Sequence, residues 1–424
     1  MKAALVRPAR HGDLAALAAL AASAASAATS ATSATSATST NTVHLAEPTA
    51  AVTAAGETLL VAQAAAPDDE PAVLLGALRL RRAVGLGLPR VWYHVGCTVH
   101  AASELGLFHR QRTLMLGHDH TGASELADMA WAHDDVPLAD QAATLHLLVQ
   151  SALLLMARDR VQYAARLIAE LPGPRDSAGQ SPFWHGLGRH FFSGDPLAAA
   201  QAHGADWRTH VAALLPRQPV YTSFLPAAAD AAIGQAHPAA LLLREVLEHA
   251  GLRYGHHVNV DDAGPVLEGT TDDLPSLRRA RRCTLTTASH DGSHAFVALA
   301  TQADGSWRAH RVRAQAQDAG LTVAAETMQT LGLAEGAAVW AVALGGAGDC
   351  RASRASRAAN VAVRRARCGR MRCGCGSTRS SRPPRCSGPP VRRRSTPAPR
   401  RAPGLPQTWG SRKRARSPTF HRAA

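Results

Sequence analysis

A histidine stands in the stretch IGQAHPAA, residues 233–240, and its imidazole titrates near neutral pH. Such a ring can pass a proton to or from a reacting group. His237 is followed by Pro238 and an apolar run, so the same residues also read as a helix start, where proline's missing N–H costs nothing. The run His118-Asp119-His120 offers metal-ligand types, but three adjacent residues in a turn rarely converge on one ion, and no metal is expected there. Gly-x-Gly occurs in GLGLPR and GLGRHF, too short for a nucleotide fingerprint.

The elements that must position these residues lie in an uneven chain. From Arg351 onward there are 20 Arg and one Lys with no Asp or Glu, while the preceding part holds 25 basic against 32 acidic residues. The body is thus acidic, and the overall basic balance is no nucleic-acid footprint of the folded part. Only Cys97 and Cys283 lie in the body, as in a reducing cytoplasm. The tail cysteines lack a paired CxxC, which argues against zinc. The run 147–157 is too short to span a membrane. The opening resembles a signal peptide, but Asp13 interrupts it, and a strand (3–6) followed by an Asp13-capped helix explains it better. Residues 22–41, an Ala/Ser/Thr repeat, have no large side chain to offset the entropy of ordering.

From Ala72 the pattern predicts a mixed α/β domain. AVLLGALRL, RTLMLG, LADMAW and ARLIAEL read as strands, with a turn at HDHTG and a helix over 141–158. Ser181-Pro182 reads as a helix N-cap and first turn. PAALLLREVLEHAG is a helix closed by Gly251, and HHVNV a strand. Residues 284–345 read as short strands around the helix AAETMQTLG, and beyond Gly346 nothing is periodic.

Six stretches, TVHAASELG, HDHTGASEL, SPFWHGLGRHFF, LLPRQPVYTSFLP, IGQAHP and DAGPVLE, occur in this order at suitable separations. Together they resemble the bacterial arginine N-succinyltransferase family, in its single-chain or paired-subunit form, over about residues 3–20 and 72–345. The resemblance implies an α/β (α+β) fold, a mixed sheet similar to the GNAT acyl-CoA transferases. Pattern and resemblance together divide the chain into 1–205 as the acyl-CoA domain, 206–283 carrying the histidine motif and 284–345 as a small β-rich part, and composition alone makes 346–424 a disordered Arg-rich tail.

The implied reaction moves succinyl from succinyl-CoA, a co-substrate rather than a resident cofactor, to the α-amine of arginine, with ornithine left open. The family's proton donor falls on His237, and its succinyl-CoA contact on Met129, which also reads as a core strand residue. Glu125 and Ser124 are candidate acceptor-site residues or structural hydrogen-bonders. The chain departs from the family's pattern in three places. A Gly-x-Gly turn is missing from 132–148, where Asp134 and Asp135 stand instead; a family acid is replaced by Arg81; and the repeat replaces a segment that shapes the site. An alternative is a weakly active subunit beside an intact paralogue, as a homo- or hetero-oligomer. The expected location is the cytoplasm, with no membrane partner. Nucleic-acid binding would rest on the tail alone, which also reads as an out-of-frame extension or, through SRKRARSP, as a nuclear-address mimic.

Overall fold

A computed structural model describes residues 3–30, 56–64, 73–133, 135–203, 207–289, 292–302, 304–317 and 320–344. Asp134, the repeat beyond Ser30 and the Arg-rich tail lie outside the described residues. All of the described residues fall in one compact unit, Met1–Arg357.

Runs of β-branched and leucine residues form strands that pair into one mixed sheet. The strands are β1 (Ala3–Pro8), β2 (Glu57–Ala64), β3 (Leu74–Arg81), β4 (Trp92–Ala102), β5 (Leu107–Gly117), β6 (Ser124–Trp131), β7 (Arg166–Glu170), β8 (Val220–Tyr221), β9 (Arg253–Val258), β10 (Pro265–Thr270), β11 (Arg281–Ala288), β12 (His294–Thr301), β13 (Trp307–Gln317), β14 (Gly320–Ala324) and β15 (Ala338–Ala343). Their order is β12-β15-β11-β14-β13-β1-β2-β3-β6-β7-β10-β9-β4-β5-β8. β12 also pairs with β13, so β11 to β15 close on themselves as a small barrel with its own core around Leu285, Phe296 and Leu321. β1 joins the barrel to the rest through Leu5 opposite His310.

The Leu138–Arg158 helix fills the largest core. Leu145, Leu148, Val149, Ala152 and Leu153 are fully buried there, with Leu78, Leu126 and Met129 in the same cluster. By length and composition this helix could cross a membrane, with a mean hydropathy of 1.3, but 61% of that stretch is buried inside the protein, as a core helix requires. A second core, around Tyr93, Phe183, Trp184 and Trp207, supports the helices between β7 and β9.

Three sequence expectations change. β2 precedes Ala72; its ETLLVAQA run follows so closely on low-complexity sequence that its short buried apolar block is easily missed. Residues 22–30 continue the Leu14–Ser30 helix, because alanine is the best helix former and the turn before it is already nucleated. Asp13 does not cap that helix directly. It lies in a preceding 3-10 turn, accepts from the Arg10 N–H at 2.7 Å and pairs with Arg7 at 2.7 Å.

One packing detail carries a pH prediction. His146, on the core helix, packs edge-on to His249 with ring centroids 5.3 Å apart. Burial, then the nearby His249 and Arg311, lower its pKa from 6.5 to about 4. A depressed histidine pKa means that the unfolded chain takes up the proton first. Its contribution is therefore present above pH 6.5 and lost as pH falls through 4. At 1.36 kcal/mol per pKa unit this amounts to no more than about 3–4 kcal/mol. In thermal melts from pH 7 to pH 4, His146→Leu is expected to lose less stability than the wild type.

Candidate functional site

His237 sits where three segments meet. Its backbone N–H donates to the Pro172 carbonyl at 2.8 Å, just beyond the end of β7. The preceding Gly234, at φ +75°, donates to the Ala263 carbonyl at 2.9 Å. Positive φ is cheap for glycine, so this residue lets the chain turn His237 inward. Opposite, Asn259 donates its side-chain amide to the Leu171 carbonyl at 2.9 Å, and Asp262 accepts from the Gly264 N–H at 2.8 Å. A Cβ on Gly173 would lie 2.0 Å from the Asp262 carbonyl oxygen, so only glycine allows these segments to approach. The motifs IGQAHP and DAGPVLE thus lie side by side.

The His237 side chain is 3% exposed. Both sequence readings of it meet here, since it is the N-cap of the Pro238–Ala240 turn and its Nδ1 accepts from the Ala239 N–H at 3.2 Å. That contact assigns the proton of the neutral ring to Nε2. Burial, and then the positive charge of Arg175, lower the pKa, so the ring is neutral at physiological pH. Arg175 escaped the sequence reading. Its segment, LPGPRDSAGQ, is a turn-rich loop that leaves a strand of an α/β sheet, which is the signal that would have marked it.

The β6 strand lies beside this region. It pairs with β3 along its length, with a bulge between Ala77 and Arg79. With β7 it pairs in parallel only at Ser124 and Glu125. Beyond Glu125 the two strands diverge, and the β7-facing edge of β6 has no strand partner among the described residues. From the end of β7 the chain runs on to Pro172, the residue that anchors His237.

The Met129 side chain is 3% exposed and packs in the main core, leaving only its backbone for a ligand at that edge. Ser124 donates to the Arg82 carbonyl at 2.7 Å and accepts from the Ala164 N–H at 2.9 Å, so it ties β6 to its neighbours. Glu125 is 2% exposed and held by Arg81 at 2.8 Å and Arg90 at 2.9 Å. Burial would raise its pKa, but Arg90 and Arg81 outweigh burial and bring it down to about 2.

These pairs belong to a longer alternation of charges. Asp261 meets Arg208 at 3.0 Å, Arg208 meets Glu170 at 3.2 Å, and Glu170 meets Arg90. On the far side, Arg81 also meets Asp128 at 3.1 Å and Glu57 at 3.0 Å, and Glu57 meets Arg79 at 2.9 Å. Arg81, where an acid was expected, is thereby surrounded by acids.

After β6, Asp135 adopts a left-handed backbone at φ +56°, the conformation glycine would supply without strain. The helix that follows starts at Leu138, and its N-cap, Pro137, makes no side-chain cap. Gln141 braces the loop, accepting from the Trp131 indole at 3.1 Å and donating to the Val136 carbonyl at 2.9 Å.

A family model described as arginine N-succinyltransferase beta subunit matches residues 4–276. This chain belongs to that family. Arginine N-succinyltransferases of Salmonella paratyphi B and Salmonella enteritidis PT4 are each 34% identical to it over 269 residues, 62% of this chain and 76% of theirs. A solved structure, that of arginine/ornithine succinyltransferase subunit AI from Pseudomonas aeruginosa, matches 82% of this chain and 100% of its own with a TM-score of 0.64 at 25% identity. The arginine N-succinyltransferase match contains His237, Arg175, β1 from Ala4 and all of β2 to β10, and it stops before the β11–β15 barrel.

Proposed function

We infer that this chain is an arginine N-succinyltransferase, moving succinyl from succinyl-CoA to the α-amine of arginine. The observation that carries the reading is the anchored, neutral His237 in its IGQAHP motif, within a chain of that family. The neutral amine attacks the thioester carbonyl and forms a tetrahedral adduct. The adduct collapses as the C–S bond breaks and the amide forms. His237 donates a hydrogen bond from its Nε2–H to the departing sulfur, and the proton released by the amine ends on that sulfur as the free thiol. The charge on Arg175 favours the negative sulfur and disfavours a cationic His237.

The parallel, diverging pair β6 and β7 supports a GNAT-like acyl-CoA fold, with the open edge of β6 for the pantetheine arm. The uncapped start of the Leu138–Arg158 helix would take the pyrophosphate, as free N–H groups there meet negative charge. Asp135 and Asp140 oppose that charge, so succinyl-CoA is expected to bind more tightly as they are replaced. Asp135→Gly removes both a charge and a strained backbone, and calorimetric titration is expected to show several-fold tighter binding of succinyl-CoA.

The activity itself is tested by free thiol released from succinyl-CoA with arginine, with ornithine, and with neither. Release that requires arginine or ornithine supports the assignment. Thiol release equal in all three vessels, or none in any, overturns it for this chain alone.

A further inference from the structure

A second cluster shares no residue with the His237 contacts. His120 lies in the turn between β5 and β6, His257 on β9 and Glu268 on β10, and one donor atom of each lies within 4.8 Å of the others. His120 is 1% exposed, yet neither of its ring nitrogens has a hydrogen-bond partner among the described residues. Its Nδ1 is 3.7 Å from Glu268 Oε2, too far for a hydrogen bond. The ring is held edge-on by Trp92, with centroids 5.1 Å apart, and by His257 at 4.3 Å. Buried polar atoms are almost always paired, so two on one ring point to something that they bind.

The neighbours are arranged for ligation. His257 Nδ1 lies 3.0 Å from the Gly255 carbonyl. A proton on Nδ1, donated to that carbonyl, leaves the Nε2 lone pair free, as the second nitrogen of a metal-bound histidine is commonly fixed. That Nε2 is 3.5 Å from Asp119 Oδ2. A Cβ on Gly255 would lie 2.0 Å from Glu268 Oε1, so the glycine is what lets this carboxylate fold across β9.

We propose that His120, His257 and Glu268 form a binding site for a divalent transition ion of the zinc class, with Asp119 or a water as fourth donor. Two imidazoles and one carboxylate suit zinc, whereas calcium and magnesium favour all-oxygen sets. Zinc bonds of about 2.0–2.2 Å place tetrahedral donors about 3.4 Å apart, so the widest gap must close by roughly an ångström. The bound ion would tie the β5–β6 turn to β9 and β10. Arg166, 3.3 Å from Glu268 with about half of its side chain exposed, is the cation that competes for the carboxylate. The run His118-Asp119-His120 offers metal-ligand types, yet from sequence no metal is expected there; of the core donors only His120 comes from it, and His257 and Glu268 arrive through the sheet.

The test uses the full chain, stripped by chelator and with its cysteines alkylated, since five of the seven lie at or beyond Cys350 and could hold zinc themselves. Calorimetric titration with zinc is expected to show one equivalent bound, with magnesium failing at the same concentrations. Zinc should also raise the melting temperature. Outer ligands alone commonly change metal affinity 10- to 100-fold, so Glu268→Gln and His257→Gln should each weaken binding by about a hundredfold or more. Arg166→Ala should tighten it several-fold, and it guards against variants of the ligands that fail to fold. No zinc uptake by the alkylated wild type, or affinity unchanged across all three variants, overturns the site.

Discussion

Replacing His237 with alanine is expected to lower turnover by about 10²- to 10⁴-fold, the usual worth of a positioned acid or base. Succinyl-CoA affinity, measured by calorimetry, should change far less. The alanine variant also removes the Nδ1 acceptor that caps Ala239, and a lost cap costs about 1 kcal/mol of stability. His237→Asn separates the two effects, because asparagine caps well and does not titrate in this range. Both variants should lose turnover, and only alanine should lose the cap. Turnover of His237→Asn within threefold of wild type would leave His237 a capping residue. The pH profile gives an independent check. Burial and Arg175 both lower the pKa of the ring, so the neutral donor persists below pH 6.5. The acid limb of the rate should therefore lie below 6.5, and Arg175→Ala should move it upward.

Much of this site was legible in the sequence, for physical reasons. Strands such as AVLLGALRL and LADMAW are short apolar runs bounded by turn residues, and they occupy β3 and β6. Ser181 caps as its type predicts, accepting from the Trp184 N–H, and Gly251 ends its helix at φ +113°. His237 was marked by the motif around it. What the sequence hid depends on contacts between distant segments. Glu125 is an acid beside a strand until Arg81 and Arg90 close on it from elsewhere. His120 reads as a turn histidine until His257 and Glu268 arrive. Arg175 acquires meaning only because His237 is bonded to the preceding loop. Local pattern reports which face a residue takes; it does not report which charge comes to meet it.

Glu125→Ala is expected to destabilise the fold by about 3–5 kcal/mol, the cost of leaving a buried charge without its partner. Two guanidinium groups, those of Arg81 and Arg90, lose the carboxylate between them. Each keeps another acid, Arg81 through Glu57 and Asp128 and Arg90 through Glu170, which places the loss towards the lower end. Glu125→Gln keeps the volume and removes only the charge, so it should fall between alanine and wild type. The sign of the pH dependence follows from the depressed pKa. The stability contributed by the carboxylate is present above its ordinary value of 4.5 and is lost as pH falls towards about 2. The gap between wild type and Glu125→Gln should therefore be full at pH 7 and narrow below pH 4.5, as read by urea unfolding. The same experiment separates the two roles open to this residue. A structural Glu125 predicts a large shift in the unfolding midpoint with little change in KM for arginine in the folded fraction. An acceptor-site Glu125 predicts a raised KM at unchanged stability, and that outcome would transfer the residue from the charge network to the substrate.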